Sequence, residues 1–186
     1  SEMTTLSLPF RERLASDFCI NRLKIAKRLA SSVDDTVKYL YELPDGNYVE
    51  TVCMQYHHGT SLCISTQVGC RMGCRFCASA IAGFVRNLTP AEMLLQIYET
   101  ERAQNCKISS LVLMGIGEPL DNFDNVLRFL QLLSDPNGYG MSLRHVTVST
   151  CGVVPKILEL AEQRLGLTLS VSLHCPNDAG RSAIMP

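Results

Sequence analysis

No apolar run in this 186-residue sequence is long enough to cross a bilayer; the longest, such as Leu111-Val-Leu-Met114, fall far short of the roughly 20 residues a spanning helix needs. The stretch from Ser1 to Arg13 has neither an apolar core nor a small-residue cleavage site, so no secretion signal is read there. Asp and Glu are missing altogether from Thr51 to Ala91. The nine cysteines include no second pair at a spacing familiar from structural zinc sites. Together these absences argue against a membrane protein, a secreted disulfide scaffold and a two-pair zinc module. The expected location is the cytoplasm, where cysteines serve as ligands or redox groups.

What is present suits one well-buried core. Apolar residues make up 46% of the chain and the formal net charge is −1, so the sequence is globular and carries no global nucleic-acid signature. Charge distribution is more informative. Within the acid-free stretch lie Arg71, Arg75, Arg86, His57 and His58; Phe10 to Ser31 adds Arg11, Arg13, Arg22, Lys24, Lys27 and Arg28 against Glu12 and Asp17. Both stretches could meet phosphates, although a solvated basic helix explains the second group equally well.

The order of elements predicts an α/β fold. Pro9 to Ala30 reads as two short helices broken near Cys19-Ile-Asn21, the second carrying Leu23, Ile25, Ala26 and Leu29. Val37–Leu43 and Tyr48–Cys53 read as strands joined by a turn at Pro44-Asp-Gly-Asn47. From Ser61 the pattern becomes strand, loop, helix, repeated. Strands are expected at Ser61–Thr66, Ser110–Gly115, His145–Thr150 and Leu167–Leu173. Helices begin at the capping box Thr89-Pro-Ala-Glu92, near Phe123, and at Pro155. This divides the chain into a partial helical accessory region (1–33), a β-hairpin leading into the core (34–59) and a parallel-stranded core (60–186). In the last strand Leu167, Leu169, Val171 and Leu173 alternate with Thr168, Ser170, Ser172 and His174. That inner face is too polar for a closed barrel packed with Val, Ile and Leu. It suits an open, partial (β/α) barrel whose inner face holds a polar ligand, or else water.

Chemistry concentrates in Gly69-Cys-Arg-Met-Gly-Cys-Arg-Phe-Cys-Ala-Ser79. Cys70, Cys74 and Cys77 are spaced C-x3-C-x2-C, and thiolates are soft ligands suited to zinc or iron–sulfur clusters. Three thiolates on a four-iron cluster leave one iron open to a small molecule. A zinc knuckle completed by His57, His58 or Cys63, or three unrelated buried cysteines, are the alternatives. The other unusual stretches also follow strands: Met114-Gly-Ile-Gly-Glu-Pro119, Ser149-Thr-Cys-Gly152 and Ser172-Leu-His174. Active sites of barrel enzymes are built at that strand edge.

These motifs resemble the radical S-adenosylmethionine (SAM) superfamily: the cysteine triplet follows a first barrel strand, and Gly115-Ile-Gly-Glu-Pro119 looks like its SAM-binding turn. More narrowly, Leu62-Cys-Ile-Ser-Thr-Gln-Val-Gly-Cys70, Arg86-Asn-Leu88, Glu118-Pro-Leu-Asp-Asn122, Val148-Ser-Thr-Cys-Gly-Val-Val-Pro155 and Val171-Ser-Leu-His-Cys-Pro-Asn-Asp178 are similar to RlmN-type adenine-C2 RNA methyltransferases. The related C8-methylating enzymes are similar too, but fit Glu-Pro-Leu-Asp-Asn and His-Cys-Pro-Asn-Asp less well. The resemblance implies that Cys70, Cys74 and Cys77 hold a 4Fe–4S cluster and that Gly117, Glu118, Ser149, Ser172, Leu173 and His174 contact SAM. It makes Glu50 the general base, although an exposed strand carboxylate is what the residues alone imply. It makes Cys63 the transient disulfide partner of a methyl-carrying cysteine, and Cys63 shares the inward register of Ser61 and Ser65. The implied substrates are 23S ribosomal RNA and transfer RNA, with an electron donor such as flavodoxin. The implied route uses a 5′-deoxyadenosyl radical and a methyl-cysteine.

One expectation departs from that pattern. The methyl-carrying cysteine of such enzymes belongs beyond Ile184-Met-Pro186. The sequence therefore reads as a barrel truncated after about four strands, without a helix after the fourth, that holds the cluster and most of the SAM site but does not complete methylation alone.

Overall fold

In the computed structural model, which describes residues 3–185, the chain opens with a short helix, α1 (Leu8–Asp17), that buries none of its side chains. Ser1, Glu2 and Pro186, the last residue of the Ile184-Met-Pro motif, lie outside the described residues. Lys24–Ala30, expected as a second helix, is instead strand β1, paired antiparallel with β2 (Val37–Glu42). The register shifts between Ile25 and Lys27. Such a bulge interrupts the two-residue alternation that marks a strand, and every residue of β1 is exposed, so no buried face marks it as a strand. The strand lies at the sheet edge, where exposed Lys27 and Arg28 discourage further pairing.

The hairpin read from the sequence is present. Strand β3 (Tyr48–Tyr56) pairs with β2, and the Asp45 side chain accepts hydrogen bonds from the Asn47 backbone and side chain within the turn. A second hairpin leads into β4 (Gly59–Ile64). Two short strands, β5 (Gln67–Gly69) and β6 (Phe84–Asn87), then form a separate ladder that brackets the cysteine loop. Helix α2 (Pro90–Gln104) follows, then β7 (Ile108–Leu113), α3 (Phe123–Ser134), β8 (Val146–Thr150), α4 (Val154–Glu162), β9 (Thr168–Val171) and α5 (Asp178–Ile184). The last of these, a seven-residue helix, corrects the expectation that none follows the fourth core strand. Apart from β5 and β6, the strands make a seven-stranded sheet, ordered β1-β2-β3-β4-β7-β8-β9, antiparallel up to β4 and parallel from there on.

The two faces of this sheet differ as the alternation predicts as far as β8, whereas on the last strand, β9, Leu169 and Val171 are exposed. Tyr39, Tyr41, Val49, Leu62, Ile64, Leu111, Leu113, Val146 and Val148 are fully buried against a layer that includes Met93 and Ile97 of α2 and Phe129 and Leu130 of α3. Each such side chain contributes roughly 1.5–3 kcal/mol. On α2 the inward residues are Met93, Gln96, Ile97 and Thr100, whereas Tyr98 is exposed. The opposite face carries Glu50, Cys63, Thr147, Ser149 and Ser170, with Val52 opposite Cys63, Val112 opposite both Cys63 and Thr147, and Ser149 opposite Ser170.

The capping box of α2 is complete: Thr89 Oγ1 accepts from the Glu92 N–H, and Glu92 accepts from the Thr89 N–H. Arg86 extends it, giving two hydrogen bonds to Glu92 at 2.8 and 2.9 Å and one to Asp45 at 2.7 Å. This corrects the reading of Arg86 as free to meet phosphates. Burial alone would push the Glu92 carboxyl up, but the bonds from Arg86 and Thr89 outweigh it and hold the group below the usual carboxylate range. The associated stabilisation is therefore present at neutral pH and is lost as pH falls through that lowered value. Arg86→Met is expected to lower stability by roughly 1–3 kcal/mol, because a largely buried carboxylate loses its partner. Thermal denaturation checks this, and an unchanged midpoint would contradict it.

Candidate active site

Three backbone bonds bring the end of β4 against the turn after β7. Gly115 N–H donates to Ile64 O at 3.0 Å, and Thr66 and Gln67 N–H both donate to Ile116 O, at 2.9 and 3.2 Å. Helix α2 fixes this junction through Gln96, whose Oε1 accepts from Ser65 N–H and Thr51 Oγ1 while Nε2 donates to Ser65 O. Ser65 in turn donates its hydroxyl to Glu50 O and accepts from the Ile116 N–H. Asn122 Nδ2 closes the turn by donating to Thr66 O and Leu88 O, both at 2.8 Å. Gly117 adopts φ +103°, and a Cβ there would meet Gln67 at 2.5 Å, so only glycine lets the turn approach so closely.

The cysteine loop is pinned at both ends. Gly69 has φ +72°, with no room for a Cβ beside the Gly83 carbonyl, and the Cys70 N–H donates to that carbonyl at 3.1 Å. From the far side, Arg75 N–H donates to Ile184 O at 2.9 Å, so the end of α5 docks on the loop. Cys70, Cys74 and Cys77 line one cavity of about 220 Å³ together with Gly117, Glu118, Ser149, Ser172 and His174. The sequence motifs from four strand ends thus converge. An adjoining cavity of about 210 Å³ shares Met72, Cys74, Cys151 and Met185 with the first. A larger cavity, about 450 Å³, lies along α1 and holds no cluster of chemistry-bearing groups.

Glu118 is almost fully buried at the floor. Its Oε1 accepts from Leu120 N–H at 2.9 Å and its Oε2 from Cys151 N–H at 2.8 Å. A carboxylate has about four acceptor positions, so capacity remains for an ammonium in the cavity. His174 stands at φ +57° with its ring 4.5 Å from that of Phe76. Leu173 is exposed and does not line the cavity. Nor do Glu50 and Cys63, which stand on the open face of β3 and β4. There Glu50 is ion-paired with Lys38 at 2.7 Å.

The donor set fits a 4Fe–4S cluster. All three cysteines are free thiols. Burial pushes the Cys70 and Cys74 thiols up, so binding metal there releases protons. Among the described residues, no three His, Cys, Asp or Glu side chains are arranged to hold a single metal ion. An iron–sulfur cluster takes its thiolates on separate irons, so they need not converge on a point. His57 and His58 sit in the turn between β3 and β4, at the opposite end of β4 from the cysteine loop, where they cannot complete a zinc knuckle.

Several cavity residues escaped the sequence reading as site residues. Cys151 lines both cavities, and burial together with Glu118 pushes its thiol up to about 12. Arg181 of α5 donates to Cys151 O and, at 3.5 Å, to Ser172 O. The cap that starts α5, Asn177 accepting from Gly180 N–H, was the one local signal that could have found Arg181.

The model of the Radical SAM superfamily matches residues 64–186. The chain is 52% identical over 188 residues to a protein of Lachnoclostridium phytofermentans described as a probable dual-specificity RNA methyltransferase RlmN, covering all of this chain and 52% of that one. A Finegoldia magna protein of the same description is also 52% identical, over 185 residues and 53% of its length. The chain spans about half the length of the curated relatives it matches. The crystal structure of a radical SAM methyltransferase from Sphaerobacter thermophilus superimposes with a TM-score of 0.91 at 37% identity, over 99% of this chain and 55% of that one.

Proposed function

The chain belongs to the radical SAM superfamily, whose chemistry uses a 4Fe–4S cluster and SAM, and from that premise we propose that it is the core of an RNA methyltransferase acting on C2 of adenine in 23S ribosomal and transfer RNA. The observation that carries the reading is the convergence of Cys70, Cys74, Cys77, Glu118, Ser149, Ser172 and His174 on one cavity, beside an open face bearing Glu50 and Cys63. The likeness to proteins described as dual-specificity RNA methyltransferases supports the choice of substrate.

In this reading Cys70, Cys74 and Cys77 hold the cluster, which when bound supplies the electron that cleaves SAM. Glu118 accepts from the SAM ammonium, and Gly117, Ser149, Ser172 and His174, which line the same cavity, complete its surroundings. Backbone approach at Gly117 and the buried floor at Glu118 orient the ligand and keep water out. Glu50 takes up the proton released at adenine C2, and Lys38 holds its carboxyl group in place until then. Cys63 serves as the disulfide partner of the methyl-carrying cysteine, and a flavodoxin-class protein in the cytoplasm supplies electrons.

The test is a chimaera in which this chain replaces the matching half of the Lachnoclostridium phytofermentans relative. In a host whose 23S RNA lacks the modification, it is expected to restore 2-methyladenosine, read by mass spectrometry of digested RNA. Recovery of 8-methyladenosine instead would move the assignment to the C8 enzymes. If neither base appears although the chimaera folds and holds its cluster, the RNA assignment is wrong.

A further inference from the structure

Arg71 and Asp121 are distant in sequence, yet Arg71 Nε lies 2.9 Å from Asp121 Oδ2. Arg71 directly follows Cys70, and Asp121 sits three residues beyond Glu118, so this ion pair ties the cysteine loop to the Glu118 turn. Gln67, fully buried and three residues before Cys70, grips the same turn twice. Its Oε1 accepts from Glu118 N–H at 2.9 Å, and its Nε2 donates to Asp121 Oδ2 at 2.8 Å and to Asn87 Oδ1 at 2.8 Å. Asp121 N–H itself donates to Glu118 O at 3.1 Å, so moving Asp121 moves Glu118. Arg71 is held from its other side by the Phe84 ring, 3.9 Å from its guanidinium carbon. Residues on both flanks of Cys70 thus hold residues on both sides of the turn.

We propose that Gln67, Arg71 and Asp121 form a clasp that sets the distance between the cysteine loop and the Glu118 turn, and through it the affinity for SAM. The inference rests on the assignment of the cluster and SAM to these two loops. None of the three residues lines the cavity, so they act as positioning residues. A ligand that would meet both the cluster held by the cysteine loop and Glu118 binds well only if both anchors stand at the right separation, and errors near 1 Å are costly. Ordinary surface ion pairs contribute about 0–1 kcal/mol to stability. A merely structural Arg71–Asp121 pair would therefore change little when broken, whereas a clasp shows its loss in ligand affinity.

The experiment uses the anaerobically reconstituted protein with Arg71→Met, Asp121→Asn, their combination, and Arg71→Lys. Asp121→Asn keeps an oxygen for Gln67 and removes only the charge. Iron content and thermal midpoint are expected to stay at the wild-type values. The dissociation constant for SAM, measured by calorimetry, should rise about threefold to thirtyfold in each single variant and no further in the double, the mark of a coupled pair. Arg71→Lys should recover most of the loss. The reduced cluster's electron paramagnetic resonance spectrum should still change on adding SAM, but at correspondingly higher concentrations. Unchanged affinity in the single variants, or losses that add in the double, would overturn the clasp while leaving the site assignment standing. A wild-type protein that holds its cluster but binds no SAM would overturn both.

Discussion

Cys74→Ala is expected to leave the protein colourless after anaerobic treatment with iron and sulfide, where the unaltered chain takes up about four irons and turns brown. Two thiolates would anchor only two of four irons, and the remaining cavity residues offer poor substitutes. Ser149, Ser172 and His174 are hard or borderline donors, less suited than thiolate to a sulfide-bridged iron. The nearest rescue would come from Cys151, which lines the same cavity. Its thiol is pushed up by burial and by Glu118, and its backbone N–H is committed to the Glu118 carboxyl group, so moving it toward an iron would disturb the turn. Iron and sulfide analysis with absorbance spectroscopy decides the matter. Stoichiometric zinc with no iron uptake in the unaltered chain would sink the cluster assignment. Four irons retained in Cys74→Ala but lost in Cys74→Ala combined with Cys151→Ala would instead make Cys151 a ligand.

How much of this was legible in the sequence depended on how local each signal is. The capping box at Thr89-Pro-Ala-Glu92 needs only four consecutive residues, and the structure closes both of its bonds. Strands β7 and β8 followed from periodicity, because their buried and partly buried residues alternate, whereas β9 was legible from its apolar–polar alternation although none of its residues is buried. The inward position of Cys63 followed from the same alternation. That of Glu50 did not, since it depends on the β2–β3 register that sets Glu50 opposite Leu40 and beside Lys38. Strand β1 misled because a bulge broke its alternation, and its stabilising bonds lie in another strand. The short β5–β6 ladder offered too few residues to show any period. Arg71 and Arg86 looked like free cations in an acid-free stretch, yet Asp121, Asp45 and Glu92 reach them from outside that stretch. Partners brought in by the fold leave no trace at fixed spacing. The functional motifs were readable because backbone geometry at Gly69 and Gly117 and the thiols at 70, 74 and 77 restrict residue type at each position.

Glu118→Gln is expected to weaken SAM binding by roughly 1–3 kcal/mol, about fivefold to 150-fold, with the iron content intact. The size follows from replacing a charge-assisted bond to an ammonium by a neutral one inside a buried floor. The choice of glutamine over alanine follows from the structure. Glu118 Oε1 and Oε2 already accept from the Leu120 and Cys151 N–H groups. Alanine would strand both donors in a buried site, a cost of about 1–3 kcal/mol each. Reduced SAM binding in Glu118→Ala could then come from a distorted turn instead of a missing contact. Glutamine keeps one oxygen for one of those donors and nearly the same volume, so the fold survives with a modest loss in thermal midpoint. Comparing the two variants separates the roles: alanine should lose more stability than glutamine, whereas both should lose SAM affinity to a similar degree. Anaerobic calorimetry on each reconstituted variant provides the numbers. Equal affinity for SAM in Glu118→Gln and the unaltered protein would show that the ammonium lies elsewhere, and the Gly117-Glu118-Pro119 turn would then be a purely structural brace between β7 and β8.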